Sequence, residues 1–280
     1  MNIYEQLLHT TLRIELLNKL GETIGMGTGF LVSVPENNGD TRIVLVSNRH
    51  VLLAEDRIAI TFTTMTDGAP QYGDTVRLPL GNVRDNIAVH PNDDVDVAAL
   101  VCTGLFNLFP DTLYFKAVDY DMLADFTEVE LSVAENVLFV GYPDDRYDKA
   151  NNLPLVRSGL IASDPKRDFN GLPEFVIDAQ VFPGSSGSPV FIDLTYESAK
   201  SGRIILEGQR VIKALGLVAE TMIRGNELQS VDVASVHYTE EVLGLGIVFK
   251  STAIKTVIDE AIEKARQKER EQGKINAPYI

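Results

Sequence analysis

Residues 183–190 read Pro-Gly-Ser-Ser-Gly-Ser-Pro-Val, a run of small residues that leads into a short apolar segment. Gly184 and Gly187 predict a tight turn here, because glycine accepts backbone angles that other residues avoid. Such a turn can point several backbone N–H groups to one place, where they would stabilise an oxyanion. We assign the N–H groups of Gly184 and Ser186 to this oxyanion hole as a hypothesis.

Two other short patterns carry the residues that a reactive serine needs. Residues 46–52 place His50 at the end of an apolar strand, and residues 94–100 place Asp96 at the start of another. A serine hydroxyl is a weak nucleophile unless a neighbouring imidazole takes its proton. The imidazole in turn needs a carboxylate that fixes its tautomer and stabilises its cation. The three patterns together predict acyl-transfer chemistry, with a serine of the turn as nucleophile and His50 as base.

The remainder of the chain has the pattern of an all-β protein. Apolar residues make up 45% and charged residues 23% of the 280 residues, which allows a buried core. Short runs of Val, Ile, Leu and Phe alternate with Gly, Pro, Asn and Asp. Only the segment from Ser251 to about Gly273 has the helical spacing of apolar residues. Residues 25–32 are predicted as a Gly-rich bend that runs into a strand. The other predicted strands are residues 12–16, 42–47, 58–63, 75–79, 95–101, 130–133, 136–140, 156–162, 174–179, 189–192, 211–219 and 244–249.

Charge and cysteine content argue against several classes of function. The formal net charge of −15 disfavours a nucleic-acid surface, which needs clustered Lys and Arg. The single cysteine, Cys102, cannot form an internal disulfide, and we expect it to be a buried apolar residue. The residues from Met1 to Glu5 show neither a basic leader nor an apolar run, and no stretch is long enough to span a membrane. We therefore expect a reduced, cytoplasmic protein that needs no metal and no cofactor.

Seven short stretches follow one another in a characteristic order. They are residues 27–32 (Gly-Thr-Gly-Phe-Leu-Val), 47–51 (Ser-Asn-Arg-His-Val), 96–100 (Asp-Val-Ala-Ala-Leu), 139–143 (Phe-Val-Gly-Tyr-Pro), 158–161 (Ser-Gly-Leu-Ile), 178–180 with 183–189, and 243–249. In this order they resemble the chymotrypsin-like (trypsin-like) serine peptidases, over roughly residues 10–262. The similarity is greatest to the disulfide-free bacterial branch that includes the HtrA (Deg) peptidases, although no PDZ domain follows.

The resemblance implies a fold and its division into domains. It implies two packed six-stranded antiparallel β-barrels with a C-terminal α-helix, and an active site in the cleft between the barrels. The barrel with the histidine and the aspartate would span residues 1–115, the barrel with the serine residues 116–250, and the helix and tail residues 251–280. The apolar face of this helix would pack on the second barrel or meet a partner.

The resemblance also selects among the candidate catalytic residues. The Asp-Val-Ala-x-Leu pattern favours Asp96, with Asp94 as the fallback, and the spacing of the turn favours Ser186 over Ser185. The implied activity is that of an intracellular serine endopeptidase that cleaves protein or peptide substrates through an acyl-enzyme. Two alternatives stay open: a catalytically silent fold that binds peptides or acts as a scaffold, and an enzyme that is latent until a partner or signal orders its turn. A regulatory partner or a homo-oligomer is possible.

Family position further implies where the substrate side chain binds. Gln180 would form the floor of the specificity pocket, and the wall would come from Ala219, Glu220 and Thr221. Gln180 is neither an acid that would select Lys or Arg nor an apolar floor. Glu220 would either attract a basic side chain or face solvent. The turn departs from the family pattern at Ser188, where the second glycine is usual.

Overall fold

The computed structural model describes residues 1–37, 39–127, 131–196, 210–229 and 236–275, and describes residues 220–229, 236–242 and 272–275 by their backbone only. These residues form one β-sheet, one closed β-barrel and a long C-terminal helix. The predicted all-β class with a C-terminal helix is confirmed.

Strands and helices have the following bounds. The sheet contains β1 (Thr11–Leu17), β2 (Thr23–Pro35), β3 (Thr41–Ser47), β4 (Arg57–Thr66), β5 (Ala69–Gly81), β6 (Ile87–Val89), β7 (Ala98–Val101), β8 (Leu113–Tyr114) and β9 (Val118–Asp119). The barrel contains β10 (Asn136–Gly141), β11 (Leu155–Ile161), β12 (Glu174–Asp178), β13 (Pro189–Asp193), β14 (Ile212–Gln229) and β15 (Val236–Lys250). The α-helices are α1 (Ile3–Leu7), α2 (Arg49–Leu52), α3 (Thr103–Leu108) and α4 (Ser251–Ile275).

The sheet of the first half has nine strands within the described part of the chain. Seven follow the order β5-β4-β1-β2-β3-β7-β6, while β8 pairs with β4 and β9 pairs with β2. This half therefore differs in detail from the six-stranded barrel that the resemblance implied. The β6 edge meets α4 instead of another strand, since Lys264 Nζ donates a hydrogen bond to the carbonyl oxygen of Ile87 at 2.8 Å.

The barrel of the second half closes in the order β10-β11-β12-β15-β14-β13, with antiparallel neighbours throughout. The closed six-stranded barrel expected for this half is therefore present. Strands β14 and β15 also pair with each other beyond the barrel, from Ile223 opposite Val242 to Gln229 opposite Val236. Two of the expected wall residues, Glu220 and Thr221, lie on β14 just before this extension.

Helix α4 packs on both halves and joins them. Its buried apolar face consists of Ala253, Ile254, Val257, Ile258, Ala261 and Ile262. The same hydrophobic cluster contains Val97, next to the candidate aspartate, and Phe191 of β13. Each half has a further core of its own. No helix among the described residues is long and apolar enough to cross a membrane.

Candidate active site

The candidate histidine lies in a short helix directly after a buried strand. Strand β3 ends at Ser47, the buried Asn48 precedes α2, and His50 is the second residue of that helix. Asn48 Nδ2 donates to the carbonyl oxygen of Asp96 at 2.7 Å, and the N–H of Arg49 donates to the same oxygen at 3.3 Å. The loop that carries the aspartate is thereby tied to the start of the histidine helix.

The carboxylate of Asp96 contacts His50 at two points. Its Oδ1 accepts a hydrogen bond from the His50 backbone N–H at 2.9 Å, and its Oδ2 lies 2.5 Å from His50 Nδ1. A carboxylate beside Nδ1 favours the imidazole tautomer that has its proton on Nδ1. Nε2 is then free to accept a proton. The imidazole itself is accessible, with 56% of its side chain exposed. This arrangement suits a general base.

The two neighbouring aspartates make other contacts. Asp93 forms an ion pair with Arg49 at 2.8 Å, and the backbone N–H of Asp94 donates to Asn92 Oδ1. Asp96 is the member of this group that the structure brings to His50.

The serine turn depends on two glycines with positive φ. Gly184 has φ +85°, and a Cβ there would lie 2.6 Å from the Tyr142 carbonyl oxygen. Gly187 has φ +89°, and a Cβ there would lie 1.9 Å from the Thr28 carbonyl oxygen. Within the turn Ser185 is 1% exposed, whereas Ser186 is partly exposed. Substrate could therefore reach Ser186 and not Ser185.

The hydroxyl of Ser186 does not point to the histidine in this structure. Its Oγ donates a hydrogen bond to the carbonyl oxygen of Ala219 at 3.0 Å. No hydrogen bond joins Ser186 and His50 among the described residues. Transfer of the Ser186 proton to His50 would require the hydroxyl to leave Ala219.

Two peptide groups in the turn have their carbonyl oxygens engaged. The Pro183 oxygen accepts from the Asp144 N–H at 2.7 Å, and the Ser185 oxygen accepts from the Ser188 N–H at 2.9 Å. In a trans peptide the N–H points opposite to the C=O, so the N–H groups of Gly184 and Ser186 point away from these partners. Neither N–H has a hydrogen-bond acceptor within the described residues, which leaves both available to a ligand.

Sequence reasoning missed the role of Thr28, which holds the serine turn against the first half. Its Oγ1 donates to the Gly184 carbonyl oxygen at 2.7 Å, and its N–H donates to the Ser186 carbonyl oxygen at 3.0 Å. The carbonyl oxygen of Thr28 accepts from Ser47 Oγ at 2.6 Å. Thr28 and Ser47 are fully buried polar residues that lie in two of the motif stretches, which is the signal that could have found them.

Comparison with known proteins decides the family. The family model described as "Trypsin-like peptidase domain" matches residues 27–196, a segment that includes His50, Asp96 and Ser186. The chain belongs to the trypsin-like peptidase family. Among solved structures, the active form of the Rv3671c protease from M. tuberculosis is similar, with TM-score 0.43 and 20% identity over 91% of this chain and 82% of that one. The structure of GrC is similar with TM-score 0.48 and 12% identity, over 94% of this chain and 97% of that one. No curated protein matches the chain.

The pocket residues expected for this trypsin-like peptidase are only partly described. Gln180 is exposed and follows β12, and Ala219 is buried on β14 with its carbonyl oxygen on the Ser186 hydroxyl. Glu220 and Thr221 pair with Ile247 and Gly246 of β15, while their side chains lie outside the described part of the structure. The assignment of these four residues to a specificity pocket stays a prediction.

Cys102 is not a competing nucleophile in the peptidase. Burial raises the pKa of the Cys102 thiol to about 12, which keeps it protonated and unreactive at neutral pH. Its Sγ lies 3.5 Å from the Ile43 carbonyl oxygen. The described residues contain no group of three or more His, Cys, Asp or Glu side chains that could hold a metal ion.

Proposed function

We propose that this trypsin-like peptidase is a serine endopeptidase, with Ser186 as nucleophile, His50 as general base and Asp96 as the group that orients the base. The two-point contact of Asp96 on His50 is the observation that carries the proposal. The family match supports it, because the matched segment contains all three residues. The proposed substrates are proteins and peptides.

The first half of the reaction would form an acyl-enzyme. Ser186 Oγ attacks the carbon of the scissile carbonyl while His50 Nε2 takes the hydroxyl proton. The Asp96 carboxylate stabilises the imidazolium that forms. The C–N bond then breaks, His50 gives its proton to the leaving amine, and the acyl group stays on Ser186.

The second half would release the acid product and restore the enzyme. His50 takes a proton from water, the hydroxide attacks the acyl carbon, and the C–O bond to Ser186 breaks. Both tetrahedral intermediates carry an oxyanion, which the N–H groups of Gly184 and Ser186 would bind. Their lack of other acceptors in the described structure suits this role.

The experiment is turnover of a proteome-derived peptide library by the purified full chain. We expect Ser186→Ala to lower cleavage by at least about a thousandfold, because the residual rate would come from binding and the oxyanion hole alone. Ser185→Ala is the matched control, since this buried hydroxyl has no hydrogen-bond partner in the described part of the chain. Equal cleavage by wild type and Ser186→Ala would exclude Ser186 as nucleophile.

A latent form of the same enzyme is the second candidate, and the hydrogen bond from Ser186 Oγ to Ala219 favours it. In that case peptides would bind without turnover until a partner or self-association frees the hydroxyl. Peptide binding with a Kd that Ser186→Ala leaves unchanged, combined with no cleavage by wild type, would favour this candidate.

The cellular setting is also a proposal. The single cysteine needs no oxidising compartment for folding, which favours action in a reducing cytoplasm. Fractionation of cells that express the chain without a tag would test this, and recovery outside the cytoplasm would contradict it.

A further inference from the structure

A cavity of about 460 Å³ opens beside the serine turn, between the start of β11 and residues 143–146. Its volume is in the range of pockets that hold small organic ligands. The side chains that matter for its chemistry are Asp144, Arg146, Leu155, Val156, Arg157 and Phe182. Leu155, Val156 and Phe182 are large apolar residues that are each more than a third exposed, so the apolar wall of the cavity faces solvent.

Arg157 is the unusual member of this cavity. Its guanidinium carbon lies 5.1 Å from the ring centre of Phe139 and 5.0 Å from that of Phe182. Its Nη1 is buried and has no hydrogen-bond partner, and no ion pair of Arg157 is found among the described residues. Burial lowers the pKa of Arg157, which is the direction expected for a desolvated cation without a counter-ion.

The charge balance of the cavity selects a monoanion. Arg146 and Asp144 form an exposed ion pair at 3.4 Å and offset one another, so Arg157 leaves one net positive charge. This is a local exception in a chain with a net charge of −15. A carboxylate would match the guanidinium through paired hydrogen bonds, whereas a phosphate dianion would add charge facing Asp144.

Hydrogen bonds connect residues of the cavity to the serine turn. Phe182, which stacks on Arg157, accepts a hydrogen bond from the Ser185 N–H at 2.9 Å through its carbonyl oxygen. Asp144, on the other side, donates its N–H to the Pro183 oxygen at 2.7 Å. Asp144 therefore holds the Pro183–Gly184 peptide group, which carries the Gly184 N–H, and Phe182 holds the next peptide group, between Gly184 and Ser185.

We propose that this cavity binds a carboxylate with an apolar body, that the carboxylate pairs with Arg157, and that its binding stabilises the serine turn. The ligand chemistry fits a free fatty or aromatic acid and also the C-terminal carboxylate of a peptide that ends in an apolar residue. Binding does not depend on the proposed function, whereas any effect on peptide hydrolysis rests on it.

Calorimetric titration of the full chain tests the site. The first pair of probes is octanoate and its neutral analogue octanamide. The second pair is an N-acetylated tripeptide that ends in leucine and the C-terminal amide of the same tripeptide. Both peptides are titrated into Ser186→Ala. We expect at least one carboxylate to bind, and its amide to bind at least about tenfold more weakly. Binding of octanoate alone identifies a small acid as the ligand, and binding of the tripeptide identifies a chain terminus.

Variants locate the charge that binds the carboxylate. Arg157→Met should weaken binding of the carboxylate by at least about tenfold, because methionine keeps the apolar part of the side chain and removes the charge. Arg157→Lys should bind with intermediate affinity. Arg167→Met is the matched control, since Arg167 is an exposed arginine paired with Asp164 outside the cavity. A carboxylate and its amide that bind equally, or no binding of either carboxylate up to about 5 mM, would overturn the site.

Hydrogen exchange tests the connection to the turn without any need for activity. The carboxylate should slow exchange of the Asp144 and Ser185 amide hydrogens, which donate to the turn and to Phe182. Calorimetric binding with unchanged exchange at both amides would contradict the stabilisation of the turn. A protein that binds the carboxylate and gains protection, yet cleaves no peptide, would reject an active endopeptidase and leave the site standing.

Discussion

At the scale of single residues, the candidate site depends on buried polar groups whose partners lie in the other half of the chain. Thr28 of β2 is the main example, because its hydroxyl and its N–H bind two carbonyl oxygens of the serine turn. The Thr28 hydroxyl also accepts a hydrogen bond from the Tyr142 N–H at 3.2 Å. We therefore expect Thr28 to act as a positioning residue that holds the turn in place.

Thr28→Val tests this positioning role, because valine keeps the shape and loses the hydroxyl. We expect the free energy of unfolding to fall by about 1–3 kcal/mol, since the Gly184 oxygen and the Tyr142 N–H would be left buried without a partner. Urea denaturation measures this loss, and library cleavage should fall with it. Thr28→Ser, which restores the hydroxyl, should recover most of both. Wild-type cleavage by Thr28→Val would contradict the role.

At the scale of elements, the serine turn is a loop whose shape only glycine permits at two positions. Gly187 combines a left-handed backbone with direct contact to the Thr28 carbonyl oxygen. The sequence predicted this turn from Gly184 and Gly187, because glycine accepts backbone angles that other residues avoid. It could not predict the partner of the turn, since β2 is more than 150 residues away.

Gly187→Ala should therefore destabilise the fold much more than the same substitution at a glycine that has a similar φ but has no atoms close to the position of a Cβ. Gly171 is that control, because its φ is +83° and a Cβ there would meet nothing within 4 Å. We expect Gly171→Ala to lower the free energy of unfolding by about 1–2 kcal/mol, from backbone strain alone. Gly187→Ala should lower the free energy of unfolding by more than about 3 kcal/mol, because the Thr28 carbonyl oxygen must also move. Similar urea midpoints for the two variants would contradict this account of the turn.

At the scale of the whole molecule, the two halves are held together by three kinds of contact. Helix α4 packs on both, Thr28 reaches across to the turn, and Arg13 of β1 forms an ion pair with Asp145 at 2.7 Å. The substrate cleft of the proposed enzyme would lie between the same two halves, so its shape depends on these contacts.

Global stability should fall in mild acid, partly because of His9. This residue is 7% exposed, and burial first and Lys116 second lower its pKa in the folded protein. The unfolded chain then binds the proton more tightly, so the stabilisation by neutral His9 is present above about pH 6.5 and is lost as the pH falls below that value. The melting temperature of His9→Gln should therefore fall less between pH 7.5 and pH 5.5 than that of wild type. Equal falls for the two proteins would contradict this assignment.

The local pattern of apolar and turn residues predicted most of the strands. The strands that it predicted wrongly depend on contacts between distant parts of the chain. The strand expected at 95–101 begins at Ala98, because Asp96 leaves the ladder to reach His50. The strand expected at 130–133 is absent over residues 131–133, and residue 130 lies outside the described part. The nine-stranded sheet and the packing of α4 on both halves depend on edges that meet only after folding, which hydrophobic periodicity does not encode.

Labelling by a fluorophosphonate, followed by mass spectrometry of the labelled peptide, shows whether Ser186 is the nucleophile. We expect a phosphonylated Ser186 in wild type, strongly slowed labelling in His50→Ala, and no labelling in Ser186→Ala, while Ser185→Ala still reacts. Absence of any adduct on the folded wild-type protein, or an adduct that persists in Ser186→Ala, would contradict this role of Ser186.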